Sequence, residues 1–171
     1  MEAVKILFAL CFMLECCNCW VNQFDGPLWY ECLPGQELAQ ITSQHANYYE
    51  DRQWDFQCGN TGVLAPSSVC TSINRVNHYG KTMDFKCPSG GAIVGIRSYP
   101  NKKYEDRVFD VKCCNVIKPS NSCKWTEYVN SYDGVLEYYI PPYKYLNGIY
   151  SKYSSYHRDR RYKFNECDVP E

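Results

Sequence analysis

This chain of 171 residues lacks the sequence features of several common protein classes. Its three histidines are widely spaced, and it has no HExxH, nucleophile-elbow or phosphate-loop motif, so we expect neither catalysis nor a metal or cofactor site. No Asn-x-Ser/Thr sequence is present, which argues against ordinary N-glycosylation. No segment has convincing helical periodicity, and the bulk charge is near zero, so neither a helical fold nor nucleic-acid binding is expected.

Residues 1–19 have the pattern of a secretory signal peptide. A lysine precedes an apolar run over residues 6–14, and the small residues Cys17 and Cys19 follow, after which we expect cleavage. A buried N-terminal strand or helix is the alternative. The run is too short to span a bilayer, and no later segment could do so. Cleavage would reduce 18 basic and 19 acidic residues to 17 of each, because the leader holds one lysine and two glutamates.

Three copies of one cysteine-anchored motif organise the remaining chain, for which we expect a single domain over residues 20–171. Asp51-Arg52 begins a segment that ends at Cys58, and copies occupy residues 106–113 and, more loosely, 159–167. The offsets are 55 residues (51 to 106) and 53 residues (106 to 159). A fixed period of this size indicates a repeat architecture, with repeats at about 20–59, 70–114 and 123–167.

The repeat also predicts disulfide bonds. Eight cysteines follow the leader, an even number that indicates a disulfide framework in a secreted chain. Two separations of 26 residues and two of 44 recur at the repeat offset. They predict the pairs Cys32–Cys58, Cys87–Cys113, Cys70–Cys114 and Cys123–Cys167. In the third copy Ile140 replaces the first cysteine, so the inner bond should be missing there. A metal site at the two adjacent cysteines is the weaker alternative.

Alternating apolar residues predict an all-β fold of three pseudo-symmetric repeats, each with three or four strands. The first strand of each unit covers residues 28–32, 83–87 and 136–140, and the second covers 38–43, 93–98 and 146–151. A seven-residue polar loop then leads to the Asp-Arg strand, and a fourth strand can lie in a linker, as at residues 124–129. The pattern fits a β-prism of three sheets or a β-trefoil-type barrel, and we favour the prism.

These motifs resemble the dermatopontin family. The resemblance is carried by Glu50 to Cys58, by Glu105-Asp106-Arg107 closing on Cys113-Cys114, and by residues 95–99 and 123–134. It implies a secreted, tyrosine-rich extracellular matrix protein without enzymatic activity. It further implies partners such as collagen-like matrix proteins, proteoglycans and cell surfaces, and relatives that include haemagglutinins, blood-cell aggregation factors and shell matrix proteins.

This chain departs from the family pattern at several positions. Phe109 and Tyr162 replace a tryptophan, Arg158 replaces a glutamate, and Pro100 stands where a histidine is expected. A ligand site that depends on these loops is therefore in doubt.

A tyrosine- and arginine-rich segment near the C-terminus is the main candidate for binding sulfated or carboxylated glycans. Its residues are Lys152, Tyr153, Tyr156, Arg158, Arg160, Arg161 and Tyr162. A merely solvated basic loop is the alternative. Tyrosines beside acidic residues are candidates for sulfation, namely Tyr48, Tyr49 and Tyr104.

The charge distribution also favours self-association. Residues 24–58 carry six acidic residues against one arginine, whereas residues 144–163 carry six basic residues against one aspartate. The Asp-Arg pair itself could bind a glycan, but its triplication beside core aromatics favours a structural role.

The sequence thus predicts a secreted, non-enzymatic matrix and adhesion protein. It would bind matrix glycans or proteoglycans, matrix proteins and cell surfaces. Collagen fibrils and mineralised matrix are two settings in which it could act. The alternative is a soluble lectin, haemagglutinin or cell-aggregation factor in innate defence.

Overall fold

The computed structural model describes residues 20–170, and the expected signal peptide and its cleavage site lie outside this range. The described chain consists of eleven strands joined by turns, with one short 3-10 turn at Pro88–Gly90. The strands are β1 (Leu28–Glu31), β2 (Glu37–Ala46), β3 (Asp51–Gly59), β4 (Cys70–Ile73), β5 (Met83–Lys86), β6 (Ala92–Asn101), β7 (Asp106–Cys114), β8 (Cys123–Trp125), β9 (Leu136–Tyr139), β10 (Lys144–Ser154) and β11 (Asp159–Asp168). The prediction of an all-β fold is confirmed.

The strands form three antiparallel sheets. The first has the order β1-β6-β7-β4, the second β3-β2-β9, and the third β5-β10-β11-β8. Three separate sheets agree with the prism that the sequence favours. The hairpin loops are shorter than predicted, because β2 extends to Ala46 and β3 starts at Asp51, which leaves four residues between them.

Each long hairpin pairs with the first strand of another repeat. Strand β1 pairs with β6, β5 pairs with β10, and β9 pairs with β2, which closes the cycle. The sequence pattern assigned these strands to their own repeats and did not reveal the exchange. One repeat therefore cannot complete its sheet without its neighbour.

The larger of two clusters of buried side chains lies between the three sheets. Residues at the same place in each copy meet at its centre: the Trp54 ring packs edge-on against Phe109 at 6.2 Å and against Tyr162 at 5.3 Å, measured between ring centroids. All three are buried. Aromatic pairs in this geometry stabilise a core beyond the area they bury.

Four disulfides link the described chain: Cys32–Cys58, Cys70–Cys114, Cys87–Cys113 and Cys123–Cys167. These are the same four pairs that the repeat spacing predicts. Where the third copy lacks the inner bond, strand register places Glu166 at the position of Cys113, because Leu146 faces Glu166 as Ile93 faces Cys113.

A partly buried polar contact occupies the place of the missing disulfide. The Tyr138 hydroxyl donates to Glu166, whose other oxygen lies 3.5 Å from the Lys144 ammonium. Burial, followed by the hydrogen bond to Glu166, raises the pKa of the Tyr138 hydroxyl well above its ordinary value.

Candidate functional site

Three buried arginine–aspartate pairs form a closed ring between neighbouring repeats. The pairs are Arg52–Asp159, Arg107–Asp51 and Arg160–Asp106. Each guanidinium donates from Nε and Nη2 to the two carboxylate oxygens at 2.6–2.7 Å. All six residues are buried. Such fork-like pairs are strong and directional, so the ring fixes each repeat against the next.

The remaining hydrogen-bonding groups of the ring residues have the same kinds of partner at each junction. At the junction of the first two repeats, Arg107 donates to the Ser98 hydroxyl and the Gly26 carbonyl at 3.0 Å, and Asp51 accepts from the Asp25 amide at 2.7 Å. Because all six side chains are buried and paired with one another, the ring has the contacts of a scaffold rather than of a glycan site.

An asparagine braces the strand that carries each ring arginine. The Asn77 amide donates to the Arg107 carbonyl at 2.9 Å, and its oxygen accepts from the Phe109 amide at 2.8 Å. Asn22 and Asn130 make the equivalent contacts in the other copies. Sequence reasoning missed these residues, although they recur at the motif's own offsets of 55 and 53 residues.

Three hairpin loops converge above the ring, and we name this end of the molecule the loop face (residues 47–50, 102–105 and 155–158). Each loop stacks one ring on a residue from the preceding linker, with centroids 4.6–5.0 Å apart. The stacked pairs are Phe24–Tyr49, Tyr79–Tyr104 and Tyr132–His157. Tyr48 and Tyr156, at equivalent positions, are 89% and 88% exposed.

At the centre of the loop face the three copies differ in charge. Glu50, Glu105 and Arg158 occupy equivalent positions, each with φ near +50°. Arg158 donates to Glu105 at 2.8–2.9 Å and lies 3.7 Å from Glu50. A single arginine thus offsets part of the charge of both glutamates.

The copies also differ at the residue opposite each ring arginine. His45 faces Arg52, Pro100 faces Arg107 and Tyr153 faces Arg160 across their hairpins. The proline junction, between the first two repeats, opens into a cleft of about 510 Å³.

The outer face of the third sheet carries cations stacked on aromatic rings, and we name it the cationic face (Lys152, Arg161 and Lys163 with Tyr128 and Tyr132). The Arg161 guanidinium lies 3.9 Å from the Tyr128 ring centroid and 5.0 Å from that of Tyr132. Lys163 lies 4.7 Å from the Tyr128 ring, and Lys152 is the cross-strand neighbour of Arg161. Within residues 20–170 no carboxylate pairs with Arg161, and its buried Nε has no hydrogen-bond partner.

The structure divides the predicted glycan-binding segment among three places. Lys152 and Arg161 lie on the cationic face, whereas Tyr153, Tyr156 and Arg158 belong to the loop face and its junctions. Arg160 and Tyr162 are both 3% exposed, which corrects their assignment as contact residues. Their inward position follows from strand alternation, since they share a face with the core residue Phe164. Burial raises the pKa of the Tyr162 hydroxyl.

The three candidate sulfation sites all lie on the loop face. Tyr48 is 89% exposed, whereas Tyr49 and Tyr104 are about half exposed and stacked. Sulfation stays a prediction. In the part of the chain described here, residues 20–170, no group of histidine, cysteine, aspartate or glutamate could hold a metal ion. The same residues include no helix long and apolar enough to cross a membrane.

Comparisons with known proteins agree with the resemblance seen in the motifs. The family model for dermatopontin matches residues 22–171. The chain is 38% identical to the hemagglutinin/amebocyte aggregation factor of Limulus polyphemus over 98% of this chain and 97% of the relative. It is 30% identical to dermatopontin of Biomphalaria glabrata over 86% of this chain and 99% of the relative.

A third relative is longer. Millepora cytotoxin-1 of Millepora dichotoma is 34% identical over 86% of this chain, which covers 65% of that protein. No solved structure matches the chain. The family model spans nearly all described residues, including the ring and all four disulfides, and the chain belongs to the dermatopontin family.

Proposed function

We propose that the protein is a secreted, non-enzymatic adhesion protein that binds anionic glycans of the extracellular matrix and of cell surfaces. The cationic face carries this proposal. The Arg161 guanidinium lies 3.9 Å from the Tyr128 ring centroid and 5.0 Å from that of Tyr132, and no carboxylate within residues 20–170 forms a salt bridge with it. A planar cation of this kind can pair with a sulfate or carboxylate through two hydrogen bonds. Four disulfides suit an extracellular setting.

Heparin chromatography tests the anionic-glycan function with a matched pair of variants. Arg161→Gln removes the unpaired cation, and Arg97→Gln removes a cation stacked at the same 3.9 Å, on Trp29 of the first sheet. We expect Arg161→Gln to elute at lower salt and Arg97→Gln to elute with the wild type, because Arg97 does not belong to the cationic face. Equal elution of all three proteins would refute the assignment.

A second function, cell agglutination through sugar recognition, is supported by a different surface. The Limulus relative, aligned over nearly the whole chain, is named a hemagglutinin and aggregation factor. The loop face carries several exposed tyrosines, which suit adhesive contacts. Agglutination of erythrocytes that free sugars block would support this function, whereas retention in insoluble matrix without agglutination would favour the matrix role.

Head-to-tail self-association would supply the multivalency that agglutination needs. The acidic first repeat and the basic third repeat favour such contact, although much of their charge is used within the ring. Sedimentation at low and high salt tests it, and a monomer under both conditions would exclude it.

A further inference from the structure

We propose that the cleft between the first and second repeats is a saccharide site that takes the uncharged, hydroxyl-rich end of a glycan. It rests on the proposed sugar-recognition function and gives that function a location. The cleft measures about 510 Å³, within the usual range for small-molecule sites and large enough for one or two sugar rings. It opens on the loop face beside exposed tyrosines.

Comparison of the three junctions explains why the one between the first two repeats is open. At the junction of the third and first repeats, the His45 side chain is 1% exposed and lies 3.5–3.8 Å from the carboxylates of Asp159, Glu50 and Asp133. The imidazole therefore fills the space. His157 closes it further, because its ring nitrogen lies 2.7 Å from Asp133.

At the junction of the second and third repeats a tyrosine performs the same filling. The Tyr153 hydroxyl donates to the Tyr104 carbonyl at 3.0 Å, and its ring lies 5.6 Å from the Arg160 guanidinium. Pro100 has a short, rigid side chain that cannot reach across its own junction, and it lines the cleft that results. The cleft therefore depends on one position of the repeat, which holds Pro100 in the second copy and a larger side chain in the other two.

The lining favours a neutral polyhydroxyl ligand. Asp25 pairs with Lys102 at 3.1 Å, and Glu105 pairs with Arg158 at 2.8 Å. The ring arginines neutralise Asp51 and Asp106 from below, so most of the charge in the lining is balanced. Such pairs still offer carboxylate acceptors and cationic donors to hydroxyl groups, and hydrogen bonds to charged groups are the stronger kind. An anionic sugar would meet five carboxylates in the lining, among them Glu50, whose nearest cation, Arg158, lies 3.7 Å away, and this disfavours it.

The aromatic side of the cleft provides a stacking surface. Tyr49 is held by Phe24, whose ring is nearly parallel at 4.6 Å, and Tyr48 packs edge-on against Tyr49 at 4.9 Å. Both tyrosines line the cleft. A tyrosine that is already positioned loses little conformational freedom on binding, which favours affinity.

Two variants test the site, with one matched control. Pro100→Tyr introduces the side chain that fills the equivalent junction of the third repeat, and Tyr48→Ala removes one wall. Tyr156→Ala truncates the equivalent tyrosine of the third loop, which is as exposed as Tyr48 but does not line the cleft. Binding is measured on an array of neutral, sialylated and sulfated glycans, and then by titration with the best neutral glycan.

We expect the wild type and Tyr156→Ala to bind neutral glycans equally, and Pro100→Tyr and Tyr48→Ala to bind about tenfold more weakly or not at all. Unchanged binding by both cleft variants, or binding of sulfated and sialylated glycans only, overturns the site. If Pro100→Tyr does not fold, as judged by circular dichroism, the comparison of Tyr48→Ala with Tyr156→Ala decides.

Heparin retention and erythrocyte agglutination separate failure of the cleft from failure of the wider function. Agglutination that a neutral sugar blocks equally in the wild type and Pro100→Tyr leaves sugar recognition standing and removes it from the cleft. Absence of both neutral-glycan binding and agglutination in the wild type refutes the recognition function and the cleft with it. Heparin retention should be the same in all four proteins, because the cationic face lies elsewhere.

Discussion

The buried ring predicts a large loss of stability from a substitution that removes charge but hardly any volume. Asp106→Asn keeps the shape of the side chain and removes the charge opposite Arg160, whose guanidinium donates to both carboxylate oxygens at 2.6 Å. The side chains of Asp106 and Arg160 are 2% and 3% exposed, so water cannot replace the lost partner. The remaining bonds from Arg160, to the Ser151 hydroxyl and the Lys81 carbonyl, do not neutralise it.

The expected magnitude follows from the burial of the pair. Removing one partner of a buried ion pair typically costs about 3–5 kcal/mol, because it leaves an uncompensated charge. In a domain of this size each kcal/mol lowers the melting temperature by roughly 2–4 °C, so the variant should melt about 6–20 °C below the wild type. The closed ring means that the equivalent changes at Asp51 and Asp159 should cost similar amounts.

Urea unfolding with the disulfides intact, followed by tryptophan fluorescence, measures the loss. Glu31→Gln is the matched control, because Glu31 pairs with Lys112 on the surface, where the two side chains are 34% and 30% exposed. Exposed pairs contribute about 0–1 kcal/mol. If Asp106→Asn costs no more than this control, the ring does not hold the repeats together and the reasoning is refuted.

Three further predictions concern the core and the repeat. Ile140→Cys with Glu166→Cys should form a fifth disulfide, since these residues are 26 apart like both inner pairs; peptide mapping that finds two free thiols contradicts it. Burial raises the pKa of Tyr162 above its ordinary 10.0, so the folded chain keeps a proton that the unfolded chain loses. The free energy of unfolding should therefore fall as the pH rises above about 10. In Tyr162→Phe this fall should be less steep, by up to about 1.4 kcal/mol per pH unit. Urea unfolding that gives parallel pH profiles for the two proteins would exclude this role. Asn77→Ala should cost about 1–3 kcal/mol in urea unfolding, because it leaves two buried backbone groups unpaired, and a neutral effect would argue against the brace.

The sequence was sufficient for the parts of the fold that repeat. The four cysteine pairs follow from the two offsets, because a repeated unit places equivalent residues in equivalent surroundings. The all-β class and the first two strands of each repeat follow from the alternation of apolar residues. The exchange of β1, β5 and β9 between repeats could not be read in this way. The alternation of apolar and polar residues is the same whether the first strand of a repeat pairs with the hairpin of its own repeat or with that of another. Only the pairings in the structure show that it joins the hairpin of another repeat.

The candidate site was harder to predict, because exposure depends on which way a strand residue points. Arg160 and Tyr162 were placed among the contact residues for their side-chain type, although their alternation with Arg161 put them on the core face. The sequence carries one signal for the cleft, since Pro100 departs from the family pattern at this position. That this proline leaves a cleft open becomes clear only from the structure, in which His45 and Tyr153 fill the two equivalent junctions.

The ring explains how the loop face can vary without loss of the fold. Glu50, Glu105 and Arg158 share φ values of 48–49°, a left-handed conformation that costs energy in any residue with a side chain. The same backbone is kept with side chains of opposite charge, so residue preference does not impose it. In the first two copies the hairpin turn holds it, because the amides of Glu50 and Glu105 donate to the Ala46 and Asn101 carbonyls at 2.8–2.9 Å. Side chains on the loop face are therefore free to change among the three copies. It follows that binding specificity should lie where the copies differ, at Pro100 and in the first loop, and that substitutions there should alter recognition while leaving the melting temperature nearly unchanged.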